Sequence, residues 1–322
     1  MAQSIAIAEF VTAIAGYVMP GTGIQQALIA TSDSNVHNLS LRGQQIAQDL
    51  FAQLDEGVLY GIAGYVTSDN VQHAIVATSE NNVYHLSSAA RARQLLAHLD
   101  DVMVTAVAGY AGAGGQHAVI ATSEGSVSRL SFQADGQATQ QVLGQFESGV
   151  ISISALVTPA DNVEHILVAA SDGYIHHFAL SAGQEPVRSV LGFFEESFIS
   201  LTGYVTADGL LHIIPGTRDG KLYHVVYDAH LGQEVHVDIR DGIHFHDAAR
   251  TPGVSVDILI RFYKLTESGM MFVAGYATPA DDRQHVLVAT SDGSVYHLSY
   301  EGRPQKIEEV SHEVIAQFNS MY

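Results

Sequence analysis

The chain has 322 residues, with 34 Asp and Glu against 14 Lys and Arg, and a formal net charge of -20 at pH 7. So acidic a chain repels phosphate backbones and anionic lipid surfaces, and we therefore expect no nucleic acid and no membrane partner. The sequence contains no cysteine, which excludes a disulfide framework, a thiolate metal site and a cysteine nucleophile.

The amino-terminal stretch M-A-Q-S-I-A-I-A-E-F has no basic segment, and Glu9 interrupts its apolar run. A secretory signal is therefore not expected. No stretch reaches the roughly 20 uninterrupted apolar residues of a membrane-spanning helix. These features predict a cytoplasmic location. A hydrophobic content of 47% is enough for one large core, so we expect residues 1–322 to form a single domain.

One sequence unit recurs along the chain, and its clearest copy runs from Val273 to Ser299. In chain order, the copies begin at Ile14, Ile62, Val107, Ile153, Leu201 and Val273. A glycine-tyrosine step marks all of them except the fourth, where Ala155-Leu156 replaces it. The early copies are spaced by about 45 residues, which is the period of a four-stranded propeller blade.

Each copy predicts four short strands. The first, Val11 to Val18 in the first copy, is rich in small residues, which suits the innermost strand of a blade. The second is apolar on both faces, as expected where blades stack face to face. The third follows a tight turn such as Asp172-Gly173, and the fourth carries motifs such as V-L-G-Q-F at Val142.

The array breaks once, because the interval between Gly203 and Gly275 is longer than one blade and shorter than two. The excess, residues 231–253, alternates apolar and polar residues around an R-D-G turn and predicts a β-hairpin. We expect six blades, with this hairpin inserted in blade five before a fourth strand that starts at Val254. Seven blades, one of them degenerate, is the alternative. The fourth-strand motif occurs near both termini, so either end could close the ring.

The strand–turn–strand repeats extend from about Ala6 to Phe318 and resemble the β-propeller repeat superfamily, with turns such as Asp172-Gly173, Asp219-Gly220 and the D-G-S-V-Y of 292–296, which matches D-G-x-[VI]-Y. The resemblance implies an all-β fold with blades around a central channel. It also implies multivalent recognition, including recognition of sugars, as in propellers with similarly self-similar blades. The G-H and W-D dipeptides of WD40 blades are absent, and the chain has no tryptophan, so no functional subfamily is indicated.

Histidines recur at two positions of the repeat. The first position opens the second strand and is glutamine in the first copy, Gln26, but histidine in the others: His73, His117, His165, His212 and His285. Several neutral imidazoles around one axis could bind a polar ligand or a metal ion. Alternatively, each could bond a backbone carbonyl of its own turn as a repeated structural detail.

The second position lies on the third strand, farther from the axis, where blade surfaces are expected to meet solvent. It is Asn38 and Arg129 in two copies and histidine in the others: His85, His177, His224 and His297. Tyrosine precedes three of these histidines, and a Tyr-His pair could stack on a sugar and bond its hydroxyls. Inter-blade packing is the alternative.

The tyrosines of the glycine-tyrosine step form a third set of candidate ligand-binding residues: Tyr65, Tyr110, Tyr204 and Tyr276, with Tyr17 in the first copy. Beside glycine on a strand close to the axis, they could line the mouth of the channel. They could equally be core residues wedged between blades.

The predicted hairpin carries polar residues on one side and apolar residues on the other. Its polar side comprises His236, Asp238, His244 and His246, which could bind Zn²⁺ or another divalent transition metal. A three-residue turn would place Asp238 opposite His244 and His236 opposite His246. Its apolar side must be covered, so residues 234–247 could instead form a lid, an interface, or the contact of a homo-oligomer. Apart from this metal, no cofactor is expected.

The sequence favours a multivalent, lectin-like binding protein for a small polar ligand such as a carbohydrate. One alternative is an enzyme of lyase, isomerase or cyclase type, with a His/Tyr or metal site at the channel mouth under the hairpin. Another is a protein-interaction scaffold. No nucleophile elbow, phosphate loop or dinucleotide fingerprint is present in the sequence. Because many of the 17 histidines recur in like positions, acidification is expected to weaken binding or the fold.

Overall fold

A computed structural model describes residues 5–6, 9–42, 45–89, 93–112, 114–132, 138–194, 197–206, 209–218, 220–228, 238–239, 243–244, 255–261, 270–278, 283–301 and 311–318. Within these ranges the chain is all-β, and its six antiparallel sheets form a six-bladed propeller. The predicted fold class and blade number are therefore confirmed. No helix in these ranges is long and apolar enough to cross a membrane.

Each blade places its strands in chain order from the axis to the rim. A two-residue strand, β1 (Ile5–Ala6), precedes the first blade. Blade one comprises β2 (Val11–Val18), β3 (Gln25–Thr31), β4 (Asn35–Arg42) and β5 (Gln45–Gln53). Blade two comprises β6 (Leu59–Val66), β7 (Gln72–Thr78), β8 (Asn82–Ser87) and β9 (Arg93–His98). Blade three comprises β10 (Val104–Gly112), β11 (Gly115–Thr122), β12 (Ser126–Phe132) and β13 (Ala138–Gln145).

The second half of the ring has the same plan with one insertion. Blade four comprises β14 (Val150–Val157), β15 (Glu164–Ala170), β16 (Tyr174–Leu180) and β17 (Val187–Phe194). Blade five comprises β18 (Phe198–Val205), β19 (Leu210–Thr217), β20 (Lys221–Asp228) and β23 (Ser255–Arg261), and the hairpin strands β21 (Asp238–Ile239) and β22 (Ile243–His244) lie between β20 and β23 in the sequence. Blade six comprises β24 (Met270–Thr278), β25 (Arg283–Thr290), β26 (Ser294–Glu301) and β27 (Ser311–Gln317).

The inner strand of each blade packs against the inner strands of both neighbouring blades, and the contact between β24 and β2 closes the ring. Glycine makes this close approach feasible. A Cβ atom added to Gly64 would lie 2.7 Å from the ring of Tyr17 in the preceding blade, and one added to Gly16 would lie 2.7 Å from the ring of Tyr276. The glycine-tyrosine step therefore packs one blade on the next.

The second strands form the most buried layer, because each is covered on both faces by adjacent blades. In β3, for example, Ala27 to Thr31 are fully buried. The turn from the second to the third strand contains a residue with positive φ in every blade: Ser34, Asn81, Gly125, Gly173, Gly220 and Gly293. This backbone conformation is the one that the Asp-Gly turns of the sequence predict.

Both irregular parts of the ring have defined partners. β23 pairs with β20 as the fourth strand of blade five, starting at Ser255, one residue from the predicted start. The carboxyl-terminal strand β27 completes blade six, and β1 pairs with it in parallel as a fifth strand. The hairpin strands β21 and β22 pair with each other, and β22 also pairs with β17. The described strands of the insertion in blade five therefore lie on the outer edge of blade four.

Candidate functional site

The two sets of histidines form pairs inside the blades. In blade two, the rings of Tyr65, His73 and His85 stack across three strands, with successive centroids 5.1 and 5.0 Å apart. A hydrogen bond of 2.9 Å joins Nδ1 of His73 to Nε2 of His85. Blades four, five and six repeat the pair, at 2.8 Å in His165–His177, 2.8 Å in His212–His224 and 3.0 Å in His285–His297.

The first histidine of each pair is bonded on its other side to a threonine hydroxyl of its own turn. The Nε2–Oγ1 distances are 3.0 Å for His73 and Thr67, 3.3 Å for His165 and Thr158, 3.0 Å for His212 and Thr206, and 3.1 Å for His285 and Thr278. The sequence left open that each histidine bonds to its own turn as a repeated structural detail, and these bonds agree with that alternative. The partner in the turn is a threonine hydroxyl, however, and not the expected backbone carbonyl. Both ring nitrogens of these four histidines are therefore occupied.

The second histidine of each pair is buried as well, and it lies between blades instead of facing solvent as the sequence suggested. His85, for example, packs against Phe132 of blade three at a centroid distance of 4.9 Å. Burial lowers the pKa of His73 to about 4 and that of His177 to about 3, with the partner imidazole as the second cause. His73 and His177 are therefore neutral near pH 7. A direct ligand contact by these histidines stays a prediction.

Blade three replaces the pair with a charged network. Arg129 takes the second histidine position and lies 3.1 Å from Nε2 of His117 and 2.8 Å from Oε1 of Glu164 in blade four. The hydroxyl of Tyr110 donates to Oε2 of Glu164 at 2.6 Å. The buried carboxylate is thus bonded to two donors, which is the condition under which a protein interior tolerates a charge.

The tyrosines of the glycine-tyrosine step lie between blades, as expected if they are core residues. Four of the five hydroxyls donate to a glutamine or glutamate of the next blade, at 2.7 Å from Tyr65 to Gln116, 2.6 Å from Tyr110 to Glu164, 2.5 Å from Tyr204 to Gln284 and 3.0 Å from Tyr276 to Gln25. Tyr17, Tyr204 and Tyr276 also border an apolar cavity of about 610 Å³ at one mouth of the channel.

The central channel itself is narrow and apolar. Its cavity, about 120 Å³, is lined by three residues from each inner strand, nearly all of them Gly, Ala, Val, Ile or Leu. Ser154 and Thr202 bring the only polar side chains among the described lining residues. Neither this cavity nor the one at its mouth is lined by a described Asp, Glu, His, Lys or Arg. The described surface along the axis therefore supplies no strong acid or base for catalysis.

The interface between blades one and two departs from the repeat. Blade one has Gln26 and Asn38 where other blades have histidine. The buried hydroxyl of Tyr17 has no hydrogen-bond partner among the described residues. Gln72, which occupies the position that receives the tyrosine hydroxyl elsewhere, instead donates through Nε2 to Sδ of Met19 at 3.3 Å. The hydrogen bond between tyrosine and the next blade, found at four other interfaces, is therefore not formed between the described residues here.

A groove of about 650 Å³ opens at this interface. Its lining residues come from the second to fourth strands of the two blades and the segments that follow them, and are Asn38, Asp49, Leu50, Phe51, Ala52, Gln53, Asp55, Gln72, Leu86, Ser87, Ser88 and Arg93. Most are polar. None of them is among the ligand-binding residues that the sequence predicts, but glutamine and asparagine at positions 26 and 38, where other blades have histidine, indicate that this interface differs.

The groove exists because two side chains that fill the gap elsewhere are small here. The third-strand position of blade one is Asn38, and the facing position of blade two is Ser88. At the other interfaces, at least one of the two positions is large. The residues there are His85 and Phe132, Arg129 and Leu180, His177 of blade four, His224 and Tyr300, and His297 and Leu41. Ring contacts join His85 to Phe132 and His224 to Tyr300.

At its inner end the groove holds an unsatisfied acceptor. The side chain of Asn38 is only 8% exposed, and its Oδ1 has no hydrogen-bond partner in the described part of the chain. Such a buried amide oxygen costs about 1–3 kcal/mol unless a donor reaches it. Asp49 lies opposite Asn38 in the strand register and is exposed. The groove therefore runs from an exposed carboxylate to a buried amide.

The hairpin agrees in part with its prediction. Asp238 lies opposite His244 in the register, as predicted. His236 and His246 lie outside the described residues, and no group of three or more potential metal ligands occurs within them, so the metal site stays a prediction. The described strands of the hairpin lie at the rim on blade four. The enzyme alternative required a hairpin that covers the channel mouth, and the described strands of the hairpin do not cover it.

No protein-family model and no curated protein matches this sequence. Among solved structures, AofleA from Arthrobotrys oligospora is similar with a TM-score of 0.66 and 8% identity, over 98% of this chain and 91% of that one. A variant of AofleA with three arginines replaced by alanine gives the same values. BBS1N in complex with ARL6DN is similar with a TM-score of 0.54 and 15% identity, over 96% of this chain and 82% of that one. At these identities the likeness concerns the fold alone, and the chain is a six-bladed β-propeller.

Proposed function

We propose that this propeller is a binding protein for a small polar ligand such as a carbohydrate, and that the ligand lies in the groove between blades one and two. The observation that carries the proposal is the buried Oδ1 of Asn38, which lacks a donor at the inner end of a groove that is itself open to solvent. A ligand hydroxyl at this point would remove the cost of the unpaired acceptor.

The composition of the groove supports a polyhydroxylated ligand. Carboxylates, amides, hydroxyls and one guanidinium line it together with Leu50, Phe51 and Leu86. A sugar presents the same mixture, because its hydroxyls alternate with apolar C–H surfaces. The volume lies within the range of about 300–1,000 Å³ that small-molecule sites occupy. The cavity at the channel mouth has a similar volume but an apolar lining, which fits a sugar poorly.

The structure favours one principal site per chain. The predicted multivalent binding required similar sites at several blades, whereas this groove depends on Asn38 and Ser88, a combination found at one interface. The enzyme alternative is weaker, since the described lining at the axis has no strong acid or base. BBS1N was solved in complex with a protein, but no described surface of this chain identifies such a partner here.

Calorimetric titration with a panel of monosaccharides and disaccharides at millimolar concentration tests the proposal. We expect saturable binding of at least one sugar with a stoichiometry near one. The double variant Asn38→His, Ser88→Phe gives this interface the side chains of His85 and Phe132, so it should close the groove and abolish binding while the melting temperature is kept. Replacing Gln141 of blade three by alanine, at the position equivalent to Asp49, is the matched control and should leave binding unchanged.

Two results would count against the proposal. If no sugar in the panel binds, the groove is not a saccharide site. If the filled variant binds a sugar as well as the parent protein does, the ligand lies elsewhere. A stoichiometry of five or six, kept in the filled variant, would instead support the predicted multivalent mode.

A further inference from the structure

The groove between blades one and two is rich in acceptors. Asp49 and Asp55 bring two carboxylates, and the buried Oδ1 of Asn38 brings a third acceptor. Asn38 and Asp49 face each other on neighbouring strands, which places their Cβ atoms about 5 Å apart. One ligand group could therefore reach both side chains.

The charge of the groove is not balanced by its own cation. Arg93 is the only described lining residue with a positive charge, and its guanidinium already lies 3.3 Å from Oε1 of Glu56 and 5.6 Å from the centre of the Tyr84 ring. Tyr84 also donates its hydroxyl to Glu56. No basic group of the described chain forms an ion pair with Asp49 or Asp55. With the Arg93–Glu56 pair neutral, two negative charges remain.

On the basis of the proposed function, we infer that the groove selects hydroxylated ligands that carry a protonated amine, such as an amino sugar with a free amino group. An ammonium group offers three donors, whereas a hydroxyl offers one, and its charge strengthens each hydrogen bond to a carboxylate. The amine lies between Asn38 and Asp49. The hydroxyls bond to the amides and hydroxyls of Gln53, Gln72 and Ser87.

The same charges select against anionic ligands. A uronic acid or a sugar phosphate would place its charge near Asp49 and Asp55, and like charges in a partly enclosed groove repel each other. The net charge of -20 acts in the same direction over longer distances, because it raises the local concentration of cations. Selectivity should therefore decrease as salt concentration rises.

Calorimetry with glucosamine, glucose, N-acetylglucosamine and glucuronate at about pH 6, where the amine is protonated, tests the inference. We expect glucosamine to bind at least about tenfold more tightly than glucose, which corresponds to about 1.4 kcal/mol. N-acetylglucosamine should lose this advantage, because acetylation removes the charge. Glucuronate should bind most weakly.

The variant Asp49→Asn, Asp55→Asn should bind glucosamine and glucose alike. Its control is Glu147→Gln, Glu185→Gln, which removes the same charge from exposed positions outside the groove lining and should keep the tenfold preference. Equal binding of glucose and glucosamine to the parent protein overturns the inference and leaves the proposed function standing. Absence of binding by every sugar overturns both. An equal loss of preference in the control means that bulk charge alone is responsible, and also overturns the inference.

Discussion

Gly64 has no room for a side chain, because the ring of Tyr17 from the preceding blade occupies the space where a Cβ atom would lie. The distance from that position to the ring is 2.7 Å, and the side chain of Leu28 is 3.0 Å away. Tyr17 is buried and wedged between two blades, so its ring has little freedom to retreat. A methyl group at Gly64 can therefore be accommodated only if Tyr17 and Leu28 of the preceding blade move away from it.

We expect Gly64→Ala to lower the free energy of unfolding by about 1–3 kcal/mol, the usual cost of overpacking a well-filled core. Denaturant titration followed by circular dichroism measures the change. Gly114→Ala is the matched control, since the nearest atom to an added Cβ there is 3.7 Å away and no strain is expected. Equal stability of the two variants would mean that the glycine-tyrosine step does not serve inter-blade packing.

At the residue scale, the sequence shows which positions repeat but not what faces them. The glycine-tyrosine step and the two histidine positions were visible in the aligned copies, and so was the exception at Asn38. The groove was not, because it depends on Asn38 of one blade and Ser88 of the next being small together. Alignment of repeats compares equivalent residues, whereas a groove between blades is made by residues that are not equivalent.

At the scale of elements, the hairpin formed by β21 and β22 covers part of an exposed strand edge. β17 is the outer strand of blade four, and Phe193 and Phe194 at its end pair with β22. The register of the hairpin followed from its R-D-G turn and alternating residues. Its docking site could not be predicted, because a two-stranded ribbon can pair with the free edge of any outer strand.

Replacing residues 229–254 by a short Gly-Ser linker between β20 and β23 should leave the six blades folded but uncover the end of β17. We expect the shortened protein to self-associate, because an unpaired strand edge offers backbone donors and acceptors to a second molecule. Light scattering after size-exclusion chromatography measures the mass. Adding Phe193→Lys to the shortened protein should prevent this self-association, since a charged residue hinders edge pairing.

The opposite result has a clear meaning. If the full-length protein is a dimer and the shortened one a monomer, residues 234–247 form the homo-oligomer contact that the sequence suggested, and edge protection is not their role. If the full-length and shortened proteins have the same number of chains per particle, pairing between β22 and β17 does not matter for self-association.

At the scale of the whole molecule, the contact between β24 and β2 closes the ring, so each blade packs against a neighbour on both sides. The repeat period was sufficient to predict six blades, but not which terminus completes the last one, because both termini carry the fourth-strand motif. The same ring repeats the buried histidine pair in four blades. Acid should therefore act on several interfaces together, and its effect should appear as cooperative loss of the fold.

The direction of this effect follows from the lowered pKa values. Burial lowers the pKa of His73, His117 and His176 to about 4 and that of His177 to about 3, and a neighbouring imidazole or guanidinium adds to the lowering in each case. An unfolded chain binds a proton at each histidine near pH 6.5, whereas the folded chain does so only near these lower values. Their contribution to stability is complete above about pH 6.5 and decreases as the pH falls toward 4.

We expect the melting temperature to be nearly constant from pH 8 to 6.5 and to fall steeply between pH 6 and 4.5. The variant His73→Gln, His85→Asn gives blade two the side chains of Gln26 and Asn38 in blade one, so it lacks one buried pair. It should be less stable at pH 7.5 but lose less of its stability on acidification than the parent protein does. His98→Gln, at an exposed histidine of the same blade, is the control and should follow the parent curve. Parallel curves for the parent and the double variant would show that the buried pair does not contribute to acid sensitivity.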